Sequence, residues 1–172
     1  MRVLVTGASG FLGSALVAVL KQQGHDVVAT TRRSVSAPVK GVDYRVVGDL
    51  GGAPDWQSPL QNIDVVVHTA ARVHIMDESS DDPLEAFRQV NVLAALDLAR
   101  QAAEAGVSRF VFISSIKVSG EQTRPDIPFR ADDVSRPTDP YGISKLEAED
   151  GLLALAPETG MEVVVIRPPL VY

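Results

Sequence analysis

Short runs of β-branched and other apolar residues recur along the chain, and several are separated by segments with helical spacing. A short apolar run bounded by turn residues is typical of a strand that is buried on both faces of a sheet. We predict six such strands, over residues 3–6, 27–31, 44–47, 65–69, 110–114 and 163–166.

Helical spacing begins directly after the first run and recurs over residues 83–105 and 141–155. The apolar positions of the first helix are Phe11, Leu12, Ala15, Leu16, Val19 and Leu20. Parallel strands need crossover connections, and these are right-handed. The alternation therefore predicts an α/β fold: a doubly wound parallel sheet in the strand order 3-2-1-4-5-6, with helices on both faces.

Two connections lack helical spacing. Residues 51–62 contain a Gly-Gly pair and two prolines, so we expect a short helix or an irregular crossover there. Residues 119–139 contain three prolines among charged residues, which predicts a long surface loop.

Composition narrows the class of protein. The 172 residues are enough for one domain, and 45% hydrophobic with 22% charged residues is typical of a globular chain. The chain has no cysteine, which excludes a disulfide scaffold, a thiol nucleophile and a cysteine-ligated metal. Its three histidines limit other metal sites further, so we predict none.

Charge and the N-terminal residues bear on partners and location. The chain has 22 acidic and 16 basic residues, and this net charge of −6 opposes a general affinity for nucleic acid or an anionic bilayer. No apolar run approaches the roughly 18 residues of a membrane span. The first residues lack a basic lead and an apolar signal region. We therefore expect a cytoplasmic protein with no nucleic-acid or membrane partner.

The segment that joins the first predicted strand to the first helix is rich in glycine. It contains Gly7, Ser9, Gly10, Phe11, Leu12 and Gly13. In a strand–turn–helix unit, three such glycines permit a tight turn, close approach of the backbone to a pyrophosphate, and close packing of helix on strand. The helix N-terminus adds unpaired N–H groups and a positive dipole end. We predict a dinucleotide site at this turn.

The glycine spacing and later motifs resemble the extended short-chain dehydrogenase/reductase family. The motifs are the TGxxGxxG pattern of residues 6–13, Gly48-Asp49-Leu50, His68-Thr69-Ala70-Ala71, Asn91, Ser114-Ser115, Tyr141 with Lys145, and Arg167-Pro168-Pro169. Within that family the chain is most similar to the NAD-dependent epimerase/dehydratase branch that acts on nucleotide sugars. The resemblance implies a Rossmann fold, a nucleotide-sugar substrate and a homodimer formed through the helices at 83–105 and 141–155. It also implies a smaller C-terminal substrate domain, which we expect to be absent from these residues.

The end of the second strand bears on the choice of dinucleotide. NAD-binding folds normally place a carboxylate there, about twenty residues beyond the glycines, to bind the ribose hydroxyls. Here Thr31 is followed by Arg32 and Arg33, and guanidinium groups suit a ribose 2′-phosphate. The alternative is that both arginines are simply solvated. We therefore predict NADP or NAD as the cofactor, with NADP favoured.

The resemblance supplies further expected cofactor residues. It implies that Asp49 contacts the adenine amino group, and the others are Leu50, Thr69, Ala70, Ala71, Asn91, Tyr141, Lys145 and Pro168. Asn91 is also at the position of the family's structural asparagine, and His68 is expected to be a buried structural residue. The loop formed by residues 72–78 either covers the nicotinamide or the sugar, or is a solvated connection.

Tyr141 and Lys145 are four residues apart in a predicted helix, so they lie on one face with Cβ atoms about 5–6 Å apart. A phenol with a pKa near 10 needs a shift of about 3 units to act as a base at neutral pH. A nearby ammonium could supply that shift. The family pattern Ser-x-x-Val-Tyr-Gly selects Ser115 rather than Ser114 as the third catalytic residue, although Ser119 stands where the family has an aromatic residue.

These predictions favour an enzyme that moves a hydride between a nicotinamide and carbon 4 of a UDP-hexose, by 4-epimerisation or by 4-keto reduction. Tyr141 would be the acid/base, Lys145 would lower its pKa and Ser115 would orient the reacting oxygen. Two alternatives remain: a reductase of a non-sugar ketone, and a non-catalytic domain that senses NADP.

Overall fold

A computed structural model describes residues 1–73, 82–123 and 126–169. The strands are β1 (Arg2–Thr6), β2 (Asp26–Thr31), β3 (Asp43–Val46), β4 (Val65–His68), β5 (Arg109–Ile113) and β6 (Glu162–Ile166). The α-helices are α1 (Phe11–Gln22), α2 (Pro83–Arg88), α3 (Ala94–Glu104) and α4 (Pro140–Thr159). Short 3-10 turns occupy Leu50–Gly52 and Ile116–Val118, and a π-helical turn at Gln89–Leu93 joins α2 to α3.

All five strand pairs are parallel, and the sheet order is β3-β2-β1-β4-β5-β6. This confirms the predicted fold class and strand order. Because β1 and β4 are neighbours although β2 and β3 lie between them in the chain, the strand order reverses at β1. Ligands of open α/β sheets bind beyond the carboxyl ends of the strands at such a reversal.

The sheet is covered on both faces, and alternate residues of one strand contribute to two separate apolar clusters. Val3 and Val5 of β1 pack with Val17 of α1 on one face. Leu4 of β1 packs on the other face with residues of α3 and α4, including Leu98 and Leu152. The predicted doubly wound arrangement follows directly from this division of the strand residues.

The helix that carries the predicted catalytic pair has a well-defined start and end. Asp139 caps α4, its side chain accepting a hydrogen bond of 2.7 Å from the Gly142 N–H, and Pro140 occupies the first turn. Pro is favoured there because the N–H it lacks would have no partner inside the helix. Gly160 ends the helix in the left-handed conformation, with φ of 73°.

The observed elements differ from the predicted ones at their ends. Strands β1, β2, β3, β5 and β6 begin one residue earlier than predicted, and β3, β4 and β5 end one residue earlier. The helix predicted over 83–105 is interrupted by the π-helical turn, which hydrophobic spacing does not reveal. Residues 51–62 form a 3-10 turn and irregular backbone, as predicted. Within the described ranges, no helix is both long and apolar enough to span a bilayer.

Candidate cofactor and active site

A cavity of about 510 Å³ opens at the carboxyl edge of the sheet, beside the glycine-rich turn. The predicted cofactor residues that line it are Gly7, Ser9, Gly10, Phe11, Leu12, Gly13, Thr31, Arg32, Asp49, Leu50, Thr69, Ala70 and Ala71. Thr30, Val47, Gly48 and Val73 also line it, and the sequence analysis did not predict them as cofactor contacts. The ends of β1, β2, β3 and β4 therefore meet at one cavity.

The glycines of the turn stand where side chains have no room. Gly7 has a φ of +66°, and a Cβ there would lie 2.7 Å from the Cα of Ala70. A Cβ at Gly13 would overlap the carbonyl oxygen of Gly7 and lie 2.8 Å from Thr69 Oγ1. Gly10 caps α1 without a side chain, so the first N–H groups of the helix are not covered by a capping group. The cradle fits a dinucleotide pyrophosphate, which binds such N–H groups.

A second cavity of about 400 Å³ adjoins the first, and Ser9 and Arg32 line both. Arg33, Ser34 and Ser36 also line the second cavity. The Thr31 hydroxyl donates a hydrogen bond of 2.8 Å to the carbonyl oxygen of Arg33, which fixes the turn after β2. Two guanidinium groups and several hydroxyls therefore surround a space at the end of β2.

Asp49 caps a 3-10 turn and also lines the first cavity. Its side chain caps the 3-10 turn at Leu50–Gly52, accepting a hydrogen bond of 2.9 Å from the Gly51 N–H. This orders the turn that presents Asp49 and Leu50 to the cavity. Its predicted adenine contact stays a prediction.

Tyr141 lies in the first turn of α4, and its ring contacts Phe87 of α2 edge-on at 6.0 Å between centroids. Burial raises the pKa of the Tyr141 phenol, hydrogen bonding to the Ser115 side chain opposes that rise, and the charge of Asp139 adds to it. The structure thus brings Tyr141 and Ser115 together beyond the end of β5. Ser114 is 3% exposed, and its hydroxyl has no hydrogen-bond partner in the part of the chain that is described.

Lys145 is buried one turn further along α4, with 1% of its surface exposed. Its ammonium lies 3.9 Å from the centroid of the Phe112 ring of β5. Burial lowers the pKa of Lys145 to about 7, although the charge of Glu149 opposes the shift. The group is therefore only partly charged near neutral pH until a negative ligand approaches it.

Burial of Lys145 gives a pH-dependent prediction of stability. Since its folded pKa of about 7 lies below the ordinary 10.5, the unfolded chain binds more protons between these values, and stability rises with pH across that window. We expect Lys145→Met to raise the free energy of unfolding near pH 6 by the order of 3 to 5 kcal/mol. This gain in the free energy of unfolding should become smaller as the pH rises toward the ordinary lysine pKa of 10.5.

Urea denaturation at several pH values measures this difference. Lys40→Met, at an exposed lysine, is the matched control and should show no such gain. A Lys145→Met protein that is less stable than the parent at every pH would contradict the expectation.

His68 is the last residue of β4 and is buried. Its Nδ1 lies 2.8 Å from Thr6 Oγ1, and its ring stacks on Phe112 with centroids 6.0 Å apart. Burial, with the charge of Lys145, lowers the pKa of His68 to about 3, so the ring is neutral. This agrees with the structural role expected for His68.

Asn91 does not line either cavity. It is 1% exposed in the π-helical turn, where its Oδ1 accepts a hydrogen bond of 2.8 Å from the Arg72 N–H. Its Nδ2 donates to the carbonyl oxygen of Arg72 at 3.1 Å and to Ser144 Oγ at 3.0 Å. Asn91 therefore ties the cavity rim after β4 to the helix that bears Lys145, and its contact with a cofactor stays a prediction.

Other predicted residues lie elsewhere along the same edge. Pro168 follows β6, and its carbonyl oxygen accepts a hydrogen bond of 3.0 Å from the Ile116 N–H. It does not line the first cavity, and neither do Tyr141 and Lys145. Most of the loop predicted over residues 72–78 lies outside the described residues.

Sequence reasoning missed two ion-pair groups near α4. Arg167 donates to the buried carboxylate of Glu149, with a shortest distance of 2.6 Å, and so joins the end of β6 to α4. Lys117 lies between two carboxylates, those of Glu121 and Asp139. The spacing of Tyr141, Lys145 and Glu149 places Glu149 on the same helix face, but it does not identify the arginine partner.

The strand order, the glycine cradle and the Ser–Tyr–Lys group define a Rossmann-type protein of the short-chain dehydrogenase/reductase class. The model of the NAD dependent epimerase/dehydratase family matches residues 3–172, and the chain belongs to this family.

Individual relatives agree with this assignment. A UDP-glucose 4-epimerase of Vibrio cholerae is 45% identical over 170 residues, which are 99% of this chain and 52% of that protein. A 3-beta-hydroxysteroid dehydrogenase of Mycolicibacterium neoaurum is 34% identical over 179 residues, covering 97% of this chain and 46% of its own. The solved structure of MoeE5 with UDP-glucose and NAD has a TM-score of 0.78 at 38% identity, over 96% of this chain and 52% of that one. The chain spans about half the length of these relatives.

Proposed function

We propose that this chain is the dinucleotide-binding and catalytic part of an enzyme that transfers a hydride at carbon 4 of a UDP-hexose. The observation that carries the proposal is that Ser115 lies close enough to Tyr141 for its side chain to lower the pKa of the phenol, at the edge of the sheet that also holds the glycine cradle. Its family relatives include UDP-glucose 4-epimerases, which supports a nucleotide-sugar substrate.

Each of the three residues has a distinct task in this reaction. In the oxidative direction the Tyr141 phenolate takes the proton of the sugar 4-hydroxyl. A dinucleotide held at the glycine cradle would supply the acceptor for the hydride of carbon 4. In the reductive direction the Tyr141 phenol gives its proton to the alkoxide that hydride delivery leaves. Ser115 holds the reacting oxygen by a hydrogen bond. Lys145 stabilises the phenolate when it is charged, and the phosphates of a bound dinucleotide favour that charged form.

We further propose that the chain prefers NADP to NAD. Arg32 and Arg33 line the second cavity, which adjoins the predicted cofactor cavity where a ribose 2′-phosphate would emerge. Thr31 is hydrogen-bonded to the backbone of Arg33 and brings no carboxylate to repel that phosphate. The related MoeE5 structure contains NAD, so the preference has to be measured directly.

Titration of the protein with NADPH and NADH tests the cofactor proposal. We expect NADPH to bind at least about ten times more tightly, a difference of roughly 1.4 kcal/mol. The double variant Arg32→Ser/Arg33→Ser should lose that preference and keep its affinity for NADH. Arg100→Ser, at an exposed arginine of α3, is the control. Equal affinities in the parent protein would refute the NADP preference.

Product analysis on the full-length protein tests the reaction itself. Interconversion of UDP-hexoses that differ at carbon 4, without net consumption of cofactor, indicates an epimerase. Steady consumption of NADPH with a 4-keto-UDP-sugar indicates a reductase. Neither activity in a protein that binds the cofactor would refute the proposed substrate class.

A second candidate, reduction or oxidation of a non-sugar ketone or alcohol, is favoured by the 34% identity to a hydroxysteroid dehydrogenase. The same three residues would serve that reaction. A sterol substrate belongs in the product assay for this reason. We also propose a homodimer through the helices at 83–105 and 141–155, where Leu93 and Leu153 are exposed apolar residues.

A further inference from the structure

Lys117 lies between two carboxylates beside the N-terminus of α4. Its ammonium is 2.5 Å from Glu121 Oε2 and 3.2 Å from Asp139 Oδ2. The hydrogen bond to Glu121 and the ion pair with Asp139 raise the pKa of Lys117, so it stays protonated well into the alkaline range. Its side chain is 43% exposed, and its ammonium forms ion pairs with both of these carboxylates.

The two carboxylate oxygens of Asp139 make different contacts. Its Oδ1 caps α4 at Gly142, and its Oδ2 faces Lys117. Burial would raise the pKa of Asp139, but the hydrogen bond from the Gly142 N–H and the ion pair with Lys117 outweigh it and hold that pKa below its usual value. The carboxylate is therefore charged whenever Tyr141, two residues further along, titrates.

Close packing holds the two segments in this position. A Cβ at Gly142 would lie 3.1 Å from the carbonyl oxygen of Lys117, so α4 approaches the 116–118 turn more closely than most residues would allow. The Arg136 N–H donates a hydrogen bond of 3.1 Å to the carbonyl oxygen of Val118. The Thr138 hydroxyl adds a bond of 3.2 Å to Glu121 Oε1.

We propose that Lys117 and Asp139 form an ion-pair clamp that fixes the Tyr141 phenol against Ser115 and sets the electrostatic field at that phenol. Both are positioning residues: Ser115 begins the turn that carries Lys117, and Asp139 begins the helix that carries Tyr141. The Asp139 charge disfavours the phenolate. Lys117 lies 3.2 Å from that carboxylate, so we expect its positive charge to offset part of the effect. The part of the inference that concerns catalysis rests on the proposed function.

Other charged groups lie around α4, and two of them are arginines in ion pairs of their own. From α2, Arg88 bonds Glu147 at 2.6 Å, and from the end of β6, Arg167 bonds Glu149. Lys145 lies one turn along α4 from Tyr141, and His68 of β4 is neutral. Removal of the clamp charges leaves all of these in place, which makes the clamp testable by itself.

The two charges of the clamp predict opposite effects. Asp139→Asn keeps a capping oxygen for Gly142 but removes the charge, so it should increase the fraction of Tyr141 that is ionised at about pH 10. Lys117→Met leaves the Asp139 carboxylate uncompensated, so it should decrease that fraction. Lys117→Arg keeps the charge and should restore the parent value. A merely structural role would move the Asp139→Asn and Lys117→Met proteins in the same direction.

The measurement is the ¹³Cζ resonance of labelled tyrosine in the full-length protein, with Tyr141→Phe used to assign the signal and circular dichroism to verify folding. Arg109→Met is the control, because it removes an exposed ion pair between β5 and β6 at the opposite edge of the sheet. Shifts of equal sign, or none beyond the control, would overturn the clamp. The resonance is measured without turnover. An unchanged resonance would therefore contradict the clamp, whereas an inactive enzyme would contradict the proposed function. In an active enzyme, the pH–rate profile should move in the same two directions.

Discussion

The Tyr141→Phe protein is expected to lose turnover by a factor of about 10² to 10⁴, the usual contribution of a positioned acid/base. The hydroxyl is the group whose pKa the Ser115 side chain lowers, and phenylalanine removes it while it keeps the ring that packs on Phe87. Folding and dinucleotide affinity should therefore change little. Steady-state rates and cofactor titration of the same preparation measure the two effects together.

This variant also separates an enzyme from a domain that only senses NADP. Ser115→Ala is the companion variant, since it removes the hydroxyl that lowers the pKa of the phenol and leaves Tyr141 in place. We expect it to retain more activity than Tyr141→Phe does. Unchanged turnover in Tyr141→Phe would refute Tyr141 as the acid/base and leave the chain with a binding role.

Gly13→Ala is expected to abolish tight dinucleotide binding and to lower the free energy of unfolding by about 2–4 kcal/mol. The added Cβ would overlap the carbonyl oxygen of Gly7, which is backbone and cannot move aside as a flexible side chain would. Relief of the overlap requires α1 to move away from β1, and this would widen the cradle that the pyrophosphate occupies. Urea denaturation and NADPH titration measure both consequences.

The control for this variant is Gly52→Ala, whose added Cβ would meet no heavy atom within 4 Å. Gly52 lies in a 3-10 turn and does not line the first cavity. Its substitution should leave affinity and stability close to those of the parent. Normal cofactor affinity in a folded Gly13→Ala protein would contradict the role assigned to the cradle.

Hydrophobic spacing predicts the sheet because the inner strands β1, β2, β4 and β5 contain short, nearly continuous apolar runs. The edge strands β3 and β6 are only partly buried, and Arg45 interrupts the apolar run of β3. Strand order then follows from the handedness of the crossovers, which depends on no individual side chain. The sequence also predicts the glycine cradle, since Gly7 and Gly13 occupy positions where no Cβ fits. Hydrophobic spacing predicts the ends of strands less well. The polar residues Asp26, Arg109 and Glu162 begin strands because their backbone pairs with the neighbouring strand.

The electrostatics of the site are less accessible from sequence. Helical spacing brings Tyr141 and Lys145 to one face, and a lowered phenol pKa was the expected result. In the structure burial raises the pKa of Tyr141 and lowers that of Lys145, because both groups lie where water is largely excluded. Lowering of the Tyr141 pKa in the cofactor complex stays a prediction. Ion pairs between residues that are distant in the chain, such as Lys117 and Asp139, produce no local sequence pattern from which they could be predicted.

The π-helical turn at Gln89–Leu93 shows that the number of residues in this helix matters as well as their identity. Each residue of a regular helix turns its successor by about 100°, so one residue more or less would rotate everything beyond it by that angle. Phe87 before the turn and Leu98 after it are both buried, and Asn91 between them reaches Ser144. A single-residue insertion or deletion here would break that alignment, whereas the same change in the loop after Ser119 would leave every strand and helix in register.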